Sequence, residues 1–210
     1  MWALVKQGQV IQIIPYAKPI VINNIGYPKE IFNSYKKAEL NKLGIYEVTS
    51  GNIPDSRFET AGATTYTIDS KKGIVTEKIA IKEKQLNDKN VVDDKGKEIL
   101  DDNGKKVIVK GLKSFYIESI KQQANNLIKP SDWLVHRFVE DNTKKIPDEV
   151  KTYRKKVRDT SDSIIIKIQA TKTLSDLKKL FNDATIKDGK VTTPNTMDSM
   201  PVSTIEEYER

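Results

Sequence analysis

Cysteine is absent from this 210-residue chain, and histidine occurs once, as His136. Without thiols the fold cannot rely on disulfides, and thiolate zinc sites and cysteine nucleophiles are excluded. One histidine further removes His-rich metal centres and most catalytic triads. Aromatic residues are sparse at 7%, and the whole apolar set reaches only 37%, so the core share is small against an average globular chain. No apolar run approaches the ~20 residues that a membrane helix needs. The opening Met1-Trp2-Ala3-Leu4-Val5-Lys6 lacks the basic start, long apolar stretch and cleavage site of a signal peptide. A soluble protein that does not bind a membrane is expected. P-loops, dinucleotide glycine motifs and nucleophile elbows are missing as well. An enzyme is not expected, and no cofactor is implied.

What the chain has is charge. Charged residues make up 31% of it, with a net charge of +7. That balance permits attraction to nucleic acid or to an acidic protein and establishes neither. The length suits two small domains.

The first of them reads as a β-rich α+β domain over residues 1–86. Trp2 to Val5 and Gln9 to Ile14 are apolar segments joined by Lys6-Gln7-Gly8, a tight hairpin in which Gly8 supplies a positive φ. Ile20-Val21-Ile22 offers a third strand, with Asn23-Asn24 suited to a turn. Pro28 to Phe32 and Lys36 to Leu43 read as short helices, the second stopped by Gly44. Ile45 to Val48 resumes strand character. Thr64 to Ile68 and Ile74 to Ile81 form a second hairpin.

Residues 87–111 hold a repeat, in which Val92-Asp-Asp-Lys-Gly-Lys-Glu-Ile99 is followed by Leu100-Asp-Asp-Asn-Gly-Lys-Lys-Val107. Asp-Asp-X-Gly between apolar residues suits turns with glycine in the left-handed conformation, so a β-hairpin arm or linker is expected. The donors do not follow the alternate-position order of a calcium loop, and no metal site is assigned.

From residue 112 the period becomes helical. Leu112, Tyr116, Ile117, Ile120, Ala124, Leu127 and Ile128 predict a helix that stops before Pro130. Ser131 or Asp132 can cap a short second helix. Pro147-Asp148-Glu149 starts a third, whose stripe runs through Val150, Tyr153, Val157, Ile164 and Ile168 as far as about Ala170. Thr173-Leu174-Ser175-Asp176 opens a last helix. Residues 112–183 thus form a helical hairpin or bundle. Residues 184–210 read as an extended acidic tail ending in Glu206-Glu207-Tyr208-Glu209-Arg210.

Lys144 to Arg158 carries seven Lys or Arg against two acids, a density that could track phosphates. Aromatic interleaving and groove-reading patterns are missing, so a solvated or partner-facing helix is the better reading, and nucleic acid is not the expected partner. The acidic tail and this basic helix could pair within the molecule or between copies, which keeps a homo-oligomer in view. For His136, beside Arg137 on the short helix, no orienting carboxylate is legible, so a structural, partly exposed histidine is expected.

Ser131-Asp132-Trp133-Leu134-Val135-His136-Arg137-Phe138-Val139-Glu140, then Ile146-Pro147 and Tyr153-Arg154-Lys155-Lys156-Val157-Arg158, follow a pattern of the form "sDW…R…E…P…YR…R". In these residues the chain resembles the C-terminal helical module of tailed-bacteriophage tail assembly and tail-fibre assembly proteins. The opening "MWALVK.GQV", "YP..IF" and "EL…GIY.V" also looks like the start of small tail-associated phage proteins. The resemblance implies a β-rich part followed by a helical part that binds a tail fibre or baseplate component. It also implies an assembly factor made in the host cytoplasm and sometimes retained in the virion tail, or a permanent tail or neck component. The longer acidic tail and the Asp-Asp-X-Gly arm depart from the family and argue against a purely transient chaperone.

Trp133, Arg137, Glu140, Tyr153, Arg154 and Arg158 are the candidate partner-binding residues, because aromatic and Arg side chains are enriched at interface hot spots. The competing reading makes Trp133 and Tyr153 the core of a helical hairpin, with Arg137, Glu140 and Arg154 or Arg158 pairing across it.

Overall fold

The computed structural model describes residues 1–187 and 190–202. The protein is mixed α+β and divides into two compact units, Met1–Glu83 and the chain from Lys84 onward.

In the first unit, β1 (Trp2–Lys6) turns into β2 (Gln9–Ile14) through Gln7 and Gly8, both with positive φ. That two-residue turn matches the twist of an antiparallel pair. β3 (Ile20–Ile22) and β4 (Ile25–Tyr27) are joined by Asn23 and Asn24, again both at positive φ. They form a separate two-stranded sheet and do not extend the opening hairpin as a third strand. The helix expected at Pro28 begins later, as α1 (Ile31–Ser34), and α2 (Lys37–Lys42) follows. At Gly44 the chain leaves α2 with φ +83°, and a Cβ there would stand 2.6 Å from the Val5 carbonyl oxygen.

β5 (Ile45–Thr49), β6 (Glu59–Asp69) and β7 (Ile74–Glu83) complete a five-stranded sheet of order β2-β1-β5-β7-β6. β5 is its organising strand, antiparallel to β1 and parallel to β7. Leu4, Ile14, Ile20, Ile22, Ile31, Phe32, Leu40 and Ile45 form the buried cluster, and the Trp2 and Phe32 ring centroids lie 4.6 Å apart against it.

The second unit opens with the arm, whose strands are β8 (Lys89–Asn90) and β9 (Ile108–Val109). Three consecutive octads build it, residues 85–92, 93–100 and 101–108, where the sequence displays two. The pairings Asn90↔Ile108, Val92↔Glu98 and Leu100↔Lys106 join the sixth position of one octad to the eighth of another and close on themselves. A ring of backbone bonds runs through the seventh positions, Val91 N–H to Val107 O, Val107 N–H to Ile99 O and Ile99 N–H to Val91 O, each 2.9 Å. The arm is therefore a closed triangle of three hairpin-like corners with pseudo-threefold symmetry. At two corners Asp93 and Asp101 accept from the backbone N–H groups two and four residues on, at 2.8–2.9 Å, with Gly96 and Gly104 at positive φ. These first carboxylates thus close turns.

The third corner is where the chain enters and leaves. There Asp88 accepts from the Gly111 N–H and the Ser114 hydroxyl, both at 2.8 Å. The Leu112 and Lys113 N–H groups donate to the carbonyls of Gln85 and Leu86. These contacts satisfy amides that a helix start leaves orphaned, and so they weld the arm to α3 (Leu112–Ile128).

α3 runs into a 3-10 turn, Lys129–Ser131, then α4 (Asp132–Glu140), α5 (Asp148–Ala170) and α6 (Leu174–Lys179). α3 and α5 pack through Ala124, Tyr153 and Val157, with Leu127, Ile128 and Met200 alongside. Ile164 to Ile166 continue α5 as the stripe predicts, and the Thr173–Asp176 capping box starts α6.

The run from Ala184 is more regular than its polarity suggests. β10 (Thr185–Lys187) and β11 (Lys190–Thr193) pair, and a 3-10 turn over Thr196–Asp198 follows. Buried Met197 and the hydrogen bonds from Thr196 to Asp183 account for that order. Partial burial works against the charged Asp183 carboxylate, but the Thr196 N–H and hydroxyl outweigh it and hold its pKa below the ordinary value. The acidic ending Glu206 to Arg210 lies outside the described residues.

Candidate partner-binding site

α5 positions the site. Its buried residues Val150, Tyr153, Arg154, Val157, Ser161, Ile164 and Ile168 recur at spacings of one, three and four residues, and Arg154 sits within that stripe. Arg154 is only 9% exposed. Its Nη1 donates to the Ile128 carbonyl at 3.0 Å, the Ser131 hydroxyl at 2.7 Å and Asp132 Oδ1 at 2.9 Å. Ser131, itself fully buried, donates to the same Ile128 carbonyl at 2.7 Å. One guanidinium thus holds the turn between α3 and α4. Ser131 is committed to this node and makes no side-chain cap to α4. The Ser-Asp of the motif and the Arg of its Tyr-Arg are parts of one clamp.

α4 meets the interior mainly through Leu134, 1% exposed. Trp133 is half-buried, and the Arg137 guanidinium lies 5.0 Å from its ring centroid, one helical turn on. A cation over an aromatic face at that distance is attractive and presents both groups together. Arg137, Phe138, Val139 and Glu140 are exposed, with Val139 at 77%. An exposed Phe-Val pair between Arg and Glu combines an apolar anchor with polar flanks.

Of the six candidates, Trp133, Arg137 and Glu140 lie on α4, and Arg158 is exposed on α5. Tyr153 and Arg154 are buried in this structure, unlike the other four. The cross-hairpin pairing is realised differently from the expectation. Arg154 pairs with Asp132, and among the described residues Arg137, Glu140 and Arg158 form no ion pair. Phe138 and Val139, which the sequence reading left out, are the exposed apolar part of the surface. Their signal was two adjacent apolar residues closing a helix otherwise anchored by Leu134.

The basic stretch is partly neutralised along its own helix, Lys151 pairing with Asp148 at 2.9 Å and Lys155 with Asp159 at 2.5 Å. The Lys151 ammonium beside Asp148 holds that carboxyl below its ordinary pKa. Among the described residues no cluster of His, Asp and Glu is arranged to hold a metal ion, and no helix is long and apolar enough to cross a membrane.

No protein-family model, curated protein or solved structure matches this chain.

Proposed function

We propose that this protein is a non-enzymatic bacteriophage tail protein that binds a tail-fibre or baseplate component through its helical module. It acts as an assembly factor and is retained in the virion as an adaptor, with the arm and the extended C-terminal part as its additions to a transient chaperone. The observation that carries the reading is the division of labour within the motif. Ser131, Asp132 and Arg154 fix α4, while Trp133, Arg137, Phe138, Val139 and Glu140 are presented on it. A short helix held at its base and carrying an aromatic, an Arg and an exposed apolar pair offers a partner the residue types enriched at interface hot spots.

The test is binding of the purified chain to each tail-fibre and baseplate protein encoded in the same phage genome. One of them should bind, and the double variant Phe138→Asp, Val139→Asp should lose that binding while staying folded. Unchanged binding by the variant, or no binding by any tail protein, overturns the reading.

A DNA-contacting role is the second reading, favoured by exposed Lys144, Lys145, Lys156 and Arg158. It requires duplex binding that falls steeply with salt. The ion pairs along α5 weigh against it.

A further inference from the structure

The arm has a second surface that the motif does not explain. Its residues have no core of their own, since none from Gln85 to Lys110 is fully buried. Yet the eighth position of every octad is a large apolar residue, and all three are about equally exposed: Val92 at 47%, Leu100 at 55% and Ile108 at 49%. An arm that only met water would do as well with Thr or Ser there. The seventh positions contrast with them, because Val91 and Val107 are half-buried and only Ile99 is exposed. Successive residues of a strand point to opposite faces. The arm therefore has one face carrying the seventh positions, where Val91 and Val107 are half-buried, and an outward face carrying the sixth and eighth positions, where all three apolar residues are exposed.

The outward face alternates apolar and polar residues around the triangle. Directly opposite residues in a ladder share a face, so Val92 neighbours Glu98, Leu100 neighbours Lys106, and Ile108 neighbours Asn90. The polar members satisfy one another, with Lys106 Nζ 2.7 Å from Glu98 Oε2 and Asn90 Nδ2 donating to Glu98 Oε1 at 2.5 Å. Covering this face would bury no unpaired charge, which is the usual obstacle to burying a polar surface. From Gln85 to Lys110 acids and bases number six each, so two arms do not repel even though the chain carries +7.

We propose that the outward face of the arm docks against the same face of a second copy of this chain. Symmetry supplies the fit. Around the face the order is Val92, Glu98, Leu100, Lys106, Ile108, Asn90. Of three two-fold axes in the contact plane, the one through Leu100 and Asn90 sets Leu100 on Leu100, Val92 on Ile108 and Glu98 on Lys106 of the second copy. The other two would set Lys106 on Lys106 or Glu98 on Glu98. Isologous two-fold pairing is the commonest form of self-association. A patch this small falls short of the ~800 Å² per partner that stable interfaces bury, so the contact is weak and depends on concentration or on tethering in a larger particle. The inference does not depend on the phage reading.

The absence of cysteine from the chain makes the test clean. Single variants Leu100→Cys and, as control, Ile53→Cys, which lies in the first unit and is 82% exposed, are oxidised in a glutathione buffer at equal protein concentration. Docking raises the effective concentration of one Leu100→Cys thiol at its counterpart in the second copy, so dimer should form about tenfold faster than in the Ile53→Cys control. Sedimentation velocity of the cysteine-free chain should show a concentration-dependent dimer that Leu100→Asp abolishes, with amide exchange at Val91, Ile99 and Val107 reporting that the variant arm is still closed. Equal cross-linking rates, or a monomer at all concentrations, overturn the proposal and leave the face to a different protein. Self-association that survives Leu100→Asp with the arm closed overturns it too.

Discussion

Replacing Arg154 with Ala removes the one group that Ile128, Ser131 and Asp132 share. The cost can be assembled from their surroundings. The Asp132 side chain is 44% exposed and regains water when its partner leaves, so that pair contributes about 1 kcal/mol or less. Ser131 is fully buried but still donates to the Ile128 carbonyl, so the loss there is one acceptor interaction, about 1–2 kcal/mol. The aliphatic stem of Arg154 lies in the α5 stripe and contributes about 1 kcal/mol of packing. Arg154→Ala should therefore destabilise the helical unit by about 3 kcal/mol, near the lower end of the range for breaking a buried pair. Arg154→Met keeps the stem and should lose about 1 kcal/mol less. Arg158→Ala, four residues on and exposed, should stay within about 0.5 kcal/mol of the parent. Urea unfolding followed by Trp133 fluorescence in a Trp2→Phe background isolates this unit. Amide exchange over residues 132–140 should show α4 loosening first. An Arg154→Ala loss below about 1 kcal/mol, or one equal to that of Arg158→Ala, refutes the clamp.

Other predictions follow from the same geometry. Val139→Asp should change stability by about 0.5 kcal/mol or less, since Val139 is 77% exposed. Phe138→Asp should cost about 1–2 kcal/mol, because Phe138 is only 39% exposed and a new acid in the last turn of α4 opposes the helix dipole; a larger drop in urea midpoint would mean that the pair packs inside. Gly111→Ala would set a Cβ 2.4 Å from the Asn87 carbonyl and should cost about 2 kcal/mol, seen as lost amide protection in both the arm and the first turn of α3. The Gly111 N–H, then the Ser114 hydroxyl and Lys110, hold the Asp88 carboxyl below its ordinary pKa. A depressed folded pKa stabilises fully above the unfolded value and is lost as pH falls through the folded one. The weld between arm and α3 should therefore hold at neutral pH and weaken only in acid below the usual carboxylate range. Asp88→Asn should flatten that acid dependence of arm amide exchange.

The elements legible in the sequence are those whose signal is local. The hairpin at Gln7-Gly8, the helix ending beside Pro130 and the stripe from Val150 to Ile168 follow from turn chemistry and periodicity. The parallel pairing of β5 with β7 does not, because nothing within either strand records which distant strand it meets. The third octad was hidden for a different reason. Its turn is replaced by the entry and exit of the chain, so Gln85-Leu86-Asn87-Asp88 carries none of the Asp-Asp-X-Gly signature, and only Lys89, Val91 and Val92 keep the register. At the site, the enrichment of Arg at interface hot spots puts Arg154 among the partner-binding candidates, while the competing hairpin reading pairs it across the helices, as it does with Asp132. The signal for its burial was present, since residue 154 stands four after Val150 and three before Val157 on a stripe whose other members are apolar apart from Ser161. Trp133 and Arg137, one turn apart, do meet, as i,i+4 neighbours on a helix should.

Quantitative mass spectrometry of purified, DNA-filled virions alongside infected-cell lysate decides the proposal that this chain is an adaptor of a phage tail. A retained adaptor should be found in the particle, in fixed ratio to a tail-fibre or baseplate protein. Abundance in lysate with absence from virions would contradict retention and leave a released chaperone, while absence from both would contradict the phage reading itself.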